Sequence, residues 1–277
     1  MRVLHLIILT AIFTSCASSK KTEGLVIMDK RARLYYDQGT QELADKEYTI
    51  ALNHLQQAYQ HAPNNTHVLN NLGMAYYFKG ATGTAIKYLN KSLEIDNKNT
   101  PARMNLATIY MKNKEYDKAE KEYMIITKDL TYLAQFRTYY NLGILNQEKQ
   151  NNKEAISYFN KAIKENENYC PAHYQLGNYY YKNKQYSKAY KKFQDASFGV
   201  CYNNPLPHFN QAKALVKLGQ FEKARVTLNK IVERFSTTKY SAIAQNKLKE
   251  IDRLENSQYL DQNSLNKTDG KILTPDF

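Results

Sequence analysis

Glycine and proline are scarce in this chain, 10 and 6 among 277 residues. With Lys, Asn, Leu, Ala and Tyr dominant, that leaves helices with few breakers as the natural reading, and the expected fold class is all-α. Catalytic signatures are absent as well. There is no Gly-rich phosphate loop, no nucleophile elbow and no zinc-protease helix, and Gly80 and Gly83 read as residues of a turn between two helices. No reacting group is in evidence, so an enzyme, a cofactor and a small-molecule substrate are not expected. A metal set drawn from Cys170, His173, Cys201 and His208 has the spacing of no common finger, and His54, His61 and His67 fall on helix surfaces or a turn. Acidic residues are outnumbered, 26 against 39 basic, for a net charge of +13. The excess is spread along helix exteriors, as at Lys112, Lys114, Lys118 and Lys121, and no short run gathers it into a patch. Such charge reads as a solvated basic face and not as a nucleic-acid groove. A hydrophobic fraction of 43% is enough for a continuous core.

A long apolar run is also missing. The stretch from Val3 to Phe13, behind Arg2, is too short to span a bilayer. No later segment approaches the roughly 20 apolar residues of a spanning helix. The stretch ends in Thr14, Ser15 and Cys16, the arrangement of an export signal with small residues ahead of a cysteine. Phe13-Thr-Ser-Cys16 resembles the lipobox of bacterial lipoproteins. The resemblance implies a diacylglycerol thioether on Cys16, cleavage just before it and, since Ala17 follows it in place of Asp, sorting to the outer membrane facing the periplasm. Phe13 stands where Leu is commonest, which leaves open ordinary secretion with Cys16 a bystander. Residues 1–15 read as a signal peptide and 16–31 as a short tether.

Beyond the tether the sequence repeats itself. Leu69-Asn-Asn-Leu72-Gly73, Arg103-Met-Asn-Leu106-Ala107, Tyr139-Tyr-Asn-Leu142-Gly143 and His173-Tyr-Gln-Leu176-Gly177 recur at about 34 residues. A second signature follows each: Ala51, Ala85, Ala119, Ala155, Ala189 and Ala224, with Leu55, Leu89, Tyr123, Phe159, Phe193 or Leu228 four residues on. Small residues on both helices of a hairpin let the backbones approach, and the large residue fills the hole that remains. The pattern resembles the tetratricopeptide repeat over residues 32–236. It implies a right-handed superhelical solenoid of six repeats. Pro101 and Pro171 suit the first turns of helices, and Asn64–Asn65–Thr66 offers a cap. A stripe of Ala242, Leu248, Ile251 and Leu254 predicts a C-terminal capping helix over 239–255, with 256–277 a disordered tail.

The inner wall of such a solenoid is made by the first helix of each hairpin. One column on it reads Asn71, Asn105, Asn141, Gln175 and Asn210. Amides carry both donor and acceptor, so a row of them can pair with the backbone of an extended peptide. Among them stand Tyr36, Met74, Tyr77, Met104, Met111, Tyr140, Tyr174, Tyr181 and Phe209, which supply contact area or pack against neighbouring helices. The column resembles the asparagine ladder of peptide-binding tetratricopeptide arrays, and the basic set of the chaperone-tail carboxylate clamp is not matched.

Cys170 and Cys201 fall at neighbouring ends of the fifth hairpin, and in an exported protein they are expected to form a disulfide. Six repeats with a cap behind a lipobox resemble the type IV pilus biogenesis pilotin family, PilF, PilW and Tgl. The segment from Lys128 to Gly143, with its two-residue insertion and aromatics ahead of the helix, strengthens the likeness. That resemblance implies a membrane-anchored scaffold whose protein partner is the pilus secretin. The alternative is a scaffold for outer-membrane assembly, gliding motility or cell-wall synthesis. Palmitate label should enter the wild-type chain and not Cys16→Ser; a wild-type protein recovered soluble from the periplasm would defeat the anchor.

Overall fold

A computed structural model describes residues 28–269, with side chains described to residue 257. The expected signal peptide and Cys16 lie outside the described residues. Thirteen α-helices and no strand occur among the described residues, and they divide into two compact units at Ala102/Arg103. The first unit holds α1 (Lys30–Ala44), α2 (Tyr48–His61), α3 (Thr66–Phe78) and α4 (Thr82–Ile95). Helix α5 (Thr100–Lys112) crosses the boundary. The second unit continues with α6 (Tyr116–Ile126), α7 (Gln135–Glu148), α8 (Asn152–Glu165), α9 (Cys170–Lys182), α10 (Tyr186–Asp195), α11 (Pro205–Lys217), α12 (Phe221–Arg234) and α13 (Lys239–Asp269). No helix among the described residues is long and apolar enough to cross a membrane.

Each odd-numbered helix up to α11 pairs with the next in a hairpin, and one contact recurs in all six. The small residue of the first helix receives the large residue of the second. In the first unit a Cβ added at Gly39 would lie 2.7 Å from Cγ of Leu55, and one at Gly73 would lie 3.0 Å from Cγ of Leu89. In the second unit rings fill the hole. A Cβ at Gly143 would lie 2.5 Å from Cε1 of Phe159, and one at Gly177 would lie 2.6 Å from the ring of Phe193. Ala107 with Tyr123, and Ala212 with Leu228, take the same places in their hairpins. The alanines of the second helices, Ala51, Ala85, Ala119, Ala155, Ala189 and Ala224, are all buried. Tyr123 is the one polar filler. Its hydroxyl lies 3.2 Å from Thr108 Oγ1, and burial pushes its pKa up to about 12.

The turns inside the hairpins share one closure. Lys46, Gly80, Lys114, Gln150, Lys184 and Gly219 all have left-handed backbone, φ between 58° and 82°. The next amide reaches back over the turn, as in Glu115 N to Tyr110 O at 2.8 Å and Gln185 N to Tyr180 O at 2.9 Å. This satisfies carbonyls that the helix end would otherwise orphan. Gly83, expected in the turn, is instead inside α4; Gly80 alone supplies the left-handed residue there. Caps fix the helix starts. Asp29 accepts from Ala32 N, Asn65 from His67 N and Val68 N, Asn99 from Ala102 N, and Asn204 from Leu206 N.

The C-terminal boundaries need correction. Helix α13 does not stop near 255 but runs to Asp269, so 256–269 is helical where a disordered tail was expected. The chain has no glycine or proline from Lys239 until Gly270, and without a breaker a started helix propagates. The buried stripe is Ser241, Ala244 and Ile251 with Leu248 beside them, and Ala242 and Leu254, expected in the stripe, are exposed. The helix is pinned by Arg225 of α12, whose guanidinium donates to Asp252 and Glu255. At the other end α1 begins at Lys30, inside the expected tether.

Helix propensity alone would make Gly→Ala favourable by about 1 kcal/mol, whereas overpacking a filled site costs roughly 1–3 kcal/mol. Gly143→Ala and Gly177→Ala should therefore lower the melting temperature measured by circular dichroism. A rise at either position would mean that the rings of Phe159 and Phe193 do not set the hairpin spacing.

Candidate protein-binding groove

In the first unit, Tyr36 of α1 and Asn71, Met74 and Tyr77 of α3 are all half-buried. Asn71 Nδ2 donates to Thr40 Oγ1 at 2.8 Å, while its Oδ1 accepts from Asn70 at 3.0 Å. Tyr36 packs on Leu55, Leu72 and Ala75, and the Tyr77 ring lies 5.6 Å from that of Phe78.

The second unit carries the rest of the column. Asn141 Nδ2 donates to Met104 Sδ at 3.3 Å, and Asn210 Nδ2 donates to the Tyr174 hydroxyl at 2.9 Å. Each of these amides, like Asn71, reaches back to the first helix of the preceding repeat. Asn105 is not free either. The row is thus not the open ladder that the sequence pattern suggests. Equivalent positions on adjoining helices come within hydrogen-bond reach, and a half-buried donor left unmade is costly.

The aromatic and methionine positions have one packed side. Met104 and Met111 lie on the cluster of Ala107, Tyr123 and Leu142. The Tyr140 ring is 5.8 Å from Phe159 and 5.4 Å from Tyr169. Tyr174 and Tyr181 stand 5.8 and 6.5 Å from Phe193, and Phe209 is 6.2 Å from Tyr240. None is fully buried, so each leaves a face available. Burial, as the largest cause, raises the pKa of Tyr174 and of Tyr181, and both are neutral donors at physiological pH.

Gln175 differs from its column. It makes no side-chain hydrogen bond among the described residues, and it opens on a recess of about 290 Å³. Gln147 and Gln150 at the end of α7, Asn152 of α8 and Asn178 of α9 line the same recess, with Glu148 and Lys182. The sequence reading missed these residues. The signal was present: Gln175, Asn178 and Lys182 recur at helical spacing along one face of α9. Farther along, Lys213 of α11 sits 5.0 Å over the Tyr181 ring, and burial, followed by the charge of Lys247, holds its pKa below the ordinary lysine value. The arrangement offers amides, neutral phenols and a cation short of counter-charge to an extended chain.

Cys170 and Cys201 are joined as a disulfide with their Cα atoms 6.2 Å apart. The bond ties the start of α9 to the 3₁₀ turn Gly199–Cys201 that follows α10. His173, one turn into α9, bonds through Nε2 to Glu167 O at 2.8 Å and steadies the preceding connection.

Four segments match models described as tetratricopeptide repeat, over residues 36–100, 79–129, 136–169 and 208–238. Together they cover more than half of the sequence, and the chain belongs to the tetratricopeptide-repeat family. Among solved structures it is similar to PilF of Pseudomonas aeruginosa, with a TM-score of 0.64 at 17% identity over 79% of this chain and 99% of that one. It is equally similar to PilW, described as a widely conserved type IV pilus biogenesis factor, with a TM-score of 0.64 at 13% identity over 78% of this chain and 99% of PilW. At these identities the likeness is one of fold. Regulatory protein RapD of Bacillus subtilis is 28% identical over 151 residues, 48% of this chain but only 43% of RapD.

The two kinds of amide are separable by stability. Asn141→Ala and Asn210→Ala should each cost about 1 kcal/mol in urea unfolding, and Gln175→Ala should stay within about 0.5 kcal/mol of wild type. Equal losses at all three would contradict the distinction.

Proposed function

We propose that this chain is a non-enzymatic, lipid-anchored scaffold on the periplasmic side of the outer membrane that promotes assembly of a type IV pilus secretin. One observation carries the reading: agreement in fold with PilF across nearly the whole of PilF. The lipobox-like Phe13-Thr-Ser-Cys16 supports the anchor. In the second unit, an extended segment of the partner would lie against Tyr140, Tyr174 and Tyr181. Its backbone would be met by Gln175 and Asn178. A carboxylate on the segment would meet Lys213 and offset the desolvation and the repulsion by Lys247 that disfavour its charge. Rigid aromatic faces give such contact area at low entropic cost.

The second reading is a scaffold for a different envelope machine; the match to a protein described only as regulatory shows that the repeat is not confined to pilus factors. Secretin multimers separate the two. Replacing Gln175, Asn178 and Lys182 together by Ala should reduce heat-resistant secretin multimers about tenfold, the equivalent of roughly 1.4 kcal/mol, with an unchanged melting temperature. Multimers that persist when the whole gene is deleted would transfer the scaffold to another machine.

A further inference from the structure

Within the second unit successive helices alternate in direction, so its connections from one hairpin to the next emerge on the same edge. Three consecutive connections, residues 127–134, 166–169 and 196–204, lie there, the second and third in contact. Phe136, just after the first, has its ring 4.8 Å from Tyr169 in the second. Gly199 in the third abuts the Asn168 carbonyl, 3.7 Å from where a Cβ would stand. The Cys170–Cys201 disulfide ties the same two connections. The ends of this edge are apolar and held out in solvent. Leu130 and Leu133 are 94% and 98% exposed, and Val200 is 90% exposed beside the exposed Phe198 and Tyr202.

These are built loops. Gln135 Nε2 donates to both Ile126 O and Asp129 O, at 2.9 and 2.7 Å. Asp129 Oδ1 accepts from Thr131 N and Oγ1, which engages the one acidic group next to the leucines. Cations flank both tips. Lys128 and Arg137 are exposed beside the first, and at the second Arg234 stacks on the Tyr202 ring, 3.3 Å from its centroid, and donates to Asn203 Oδ1 at 2.7 Å.

From this juxtaposition we propose that the inter-repeat edge of the second unit is a membrane-contacting surface, with Leu130, Leu133, Phe198 and Val200 entering the acyl boundary of an anionic bilayer and Lys128, Arg137 and Arg234 meeting its headgroups. A fluid bilayer, unlike a folded partner, needs no shaped receptor. That suits side chains which project with almost no protein around them. Apolar tips flanked by Lys128, Arg137 and Arg234, against the one exposed acid Glu167 on the connection between them, are complementary to an anionic interface, and the chain's charge of +13 favours approach. The proposal does not depend on the expected lipidation of Cys16.

The processed chain, residues 16–277 with Cys16→Ser, is the material for the test. It should co-sediment with phosphatidylglycerol-containing vesicles and far less with phosphatidylcholine vesicles. Leu130→Ser/Leu133→Ser should weaken that partition about tenfold; Phe198→Ser/Val200→Ser and Lys128→Glu/Arg137→Glu should each weaken it measurably, with unchanged circular dichroism. Failure of the wild type to bind anionic vesicles would overturn the proposal. So would binding that salt abolishes while both apolar double variants retain it in full, since that is charge attraction without insertion. Photo-crosslinking from position 133 to a protein, in the absence of vesicle binding, would assign the edge to a protein partner instead. Secretin assembly by the groove is read separately, and either result leaves the other standing.

Discussion

The spacing of every hairpin is set by a single contact, the seat that a glycine or alanine of the first helix provides for the large side chain of the second. Where the filler is Leu55 or Leu89 a branched aliphatic end fits the seat. Where it is Phe159 or Phe193 a flat ring lies against the glycine with no room for a methyl group. The rest follows from that approach. It buries the alanines of the second helices, and it gives the first helices a common face from one hairpin to the next. It also brings equivalent positions of successive first helices close enough for Asn71 to reach Thr40 and for Asn210 to reach Tyr174. Binding surface and core are two sides of one set of helices.

Much of this was legible in the linear sequence, for a physical reason. A seat and its filler must recur at a fixed offset for the hairpins to stack, so Gly73, Gly143 and Gly177 and their partners announce themselves as a period, while Gly39 was found only in the structure. Helix starts were legible too, since Asn65 and Pro171 act within a few residues. The site was harder. The amide column showed as a pattern, but whether an amide is spent internally depends on which residue faces it from the preceding repeat. Thr40, Met104 and Tyr174 share no chemistry that a pattern would reveal. The recess around Gln175 joins the end of α7, the start of α8 and the middle of α9, a combination that exists only once the hairpins are stacked. The length of α13 was underestimated because a polar composition was given more weight than the absence of a breaker, and Ala242 was placed inward when the helix phase buries Ala244.

Charge plays a distributed part. Lys149 joins α6 and α7 through Asp117 and Glu120, at 3.2 and 3.0 Å, and Arg103 meets Glu122 at 2.5 Å with both partly buried. The exposed pair of Lys149 with Asp117 contributes little by itself. Pairs that bridge successive helices instead select one register of stacking over its neighbours. The cations left over are the ones that solvent, headgroups or an acidic partner can meet.

The six turns within the hairpins are closed by the same left-handed residue and the same long backbone bond, although four of the six place Lys or Gln where glycine would be unstrained. The connections between hairpins obey no such rule and range from short polar corners to the segments at 127–134 and 196–204. Within each unit, therefore, the turns inside hairpins are of fixed form and the connections between hairpins tolerate variation. New sequence can enter by these connections without changing how any seat meets its filler, so diversification of such an array is channelled to them, and a tag, an epitope or relocated chain ends would be accommodated there and rejected at Lys114 or Lys184.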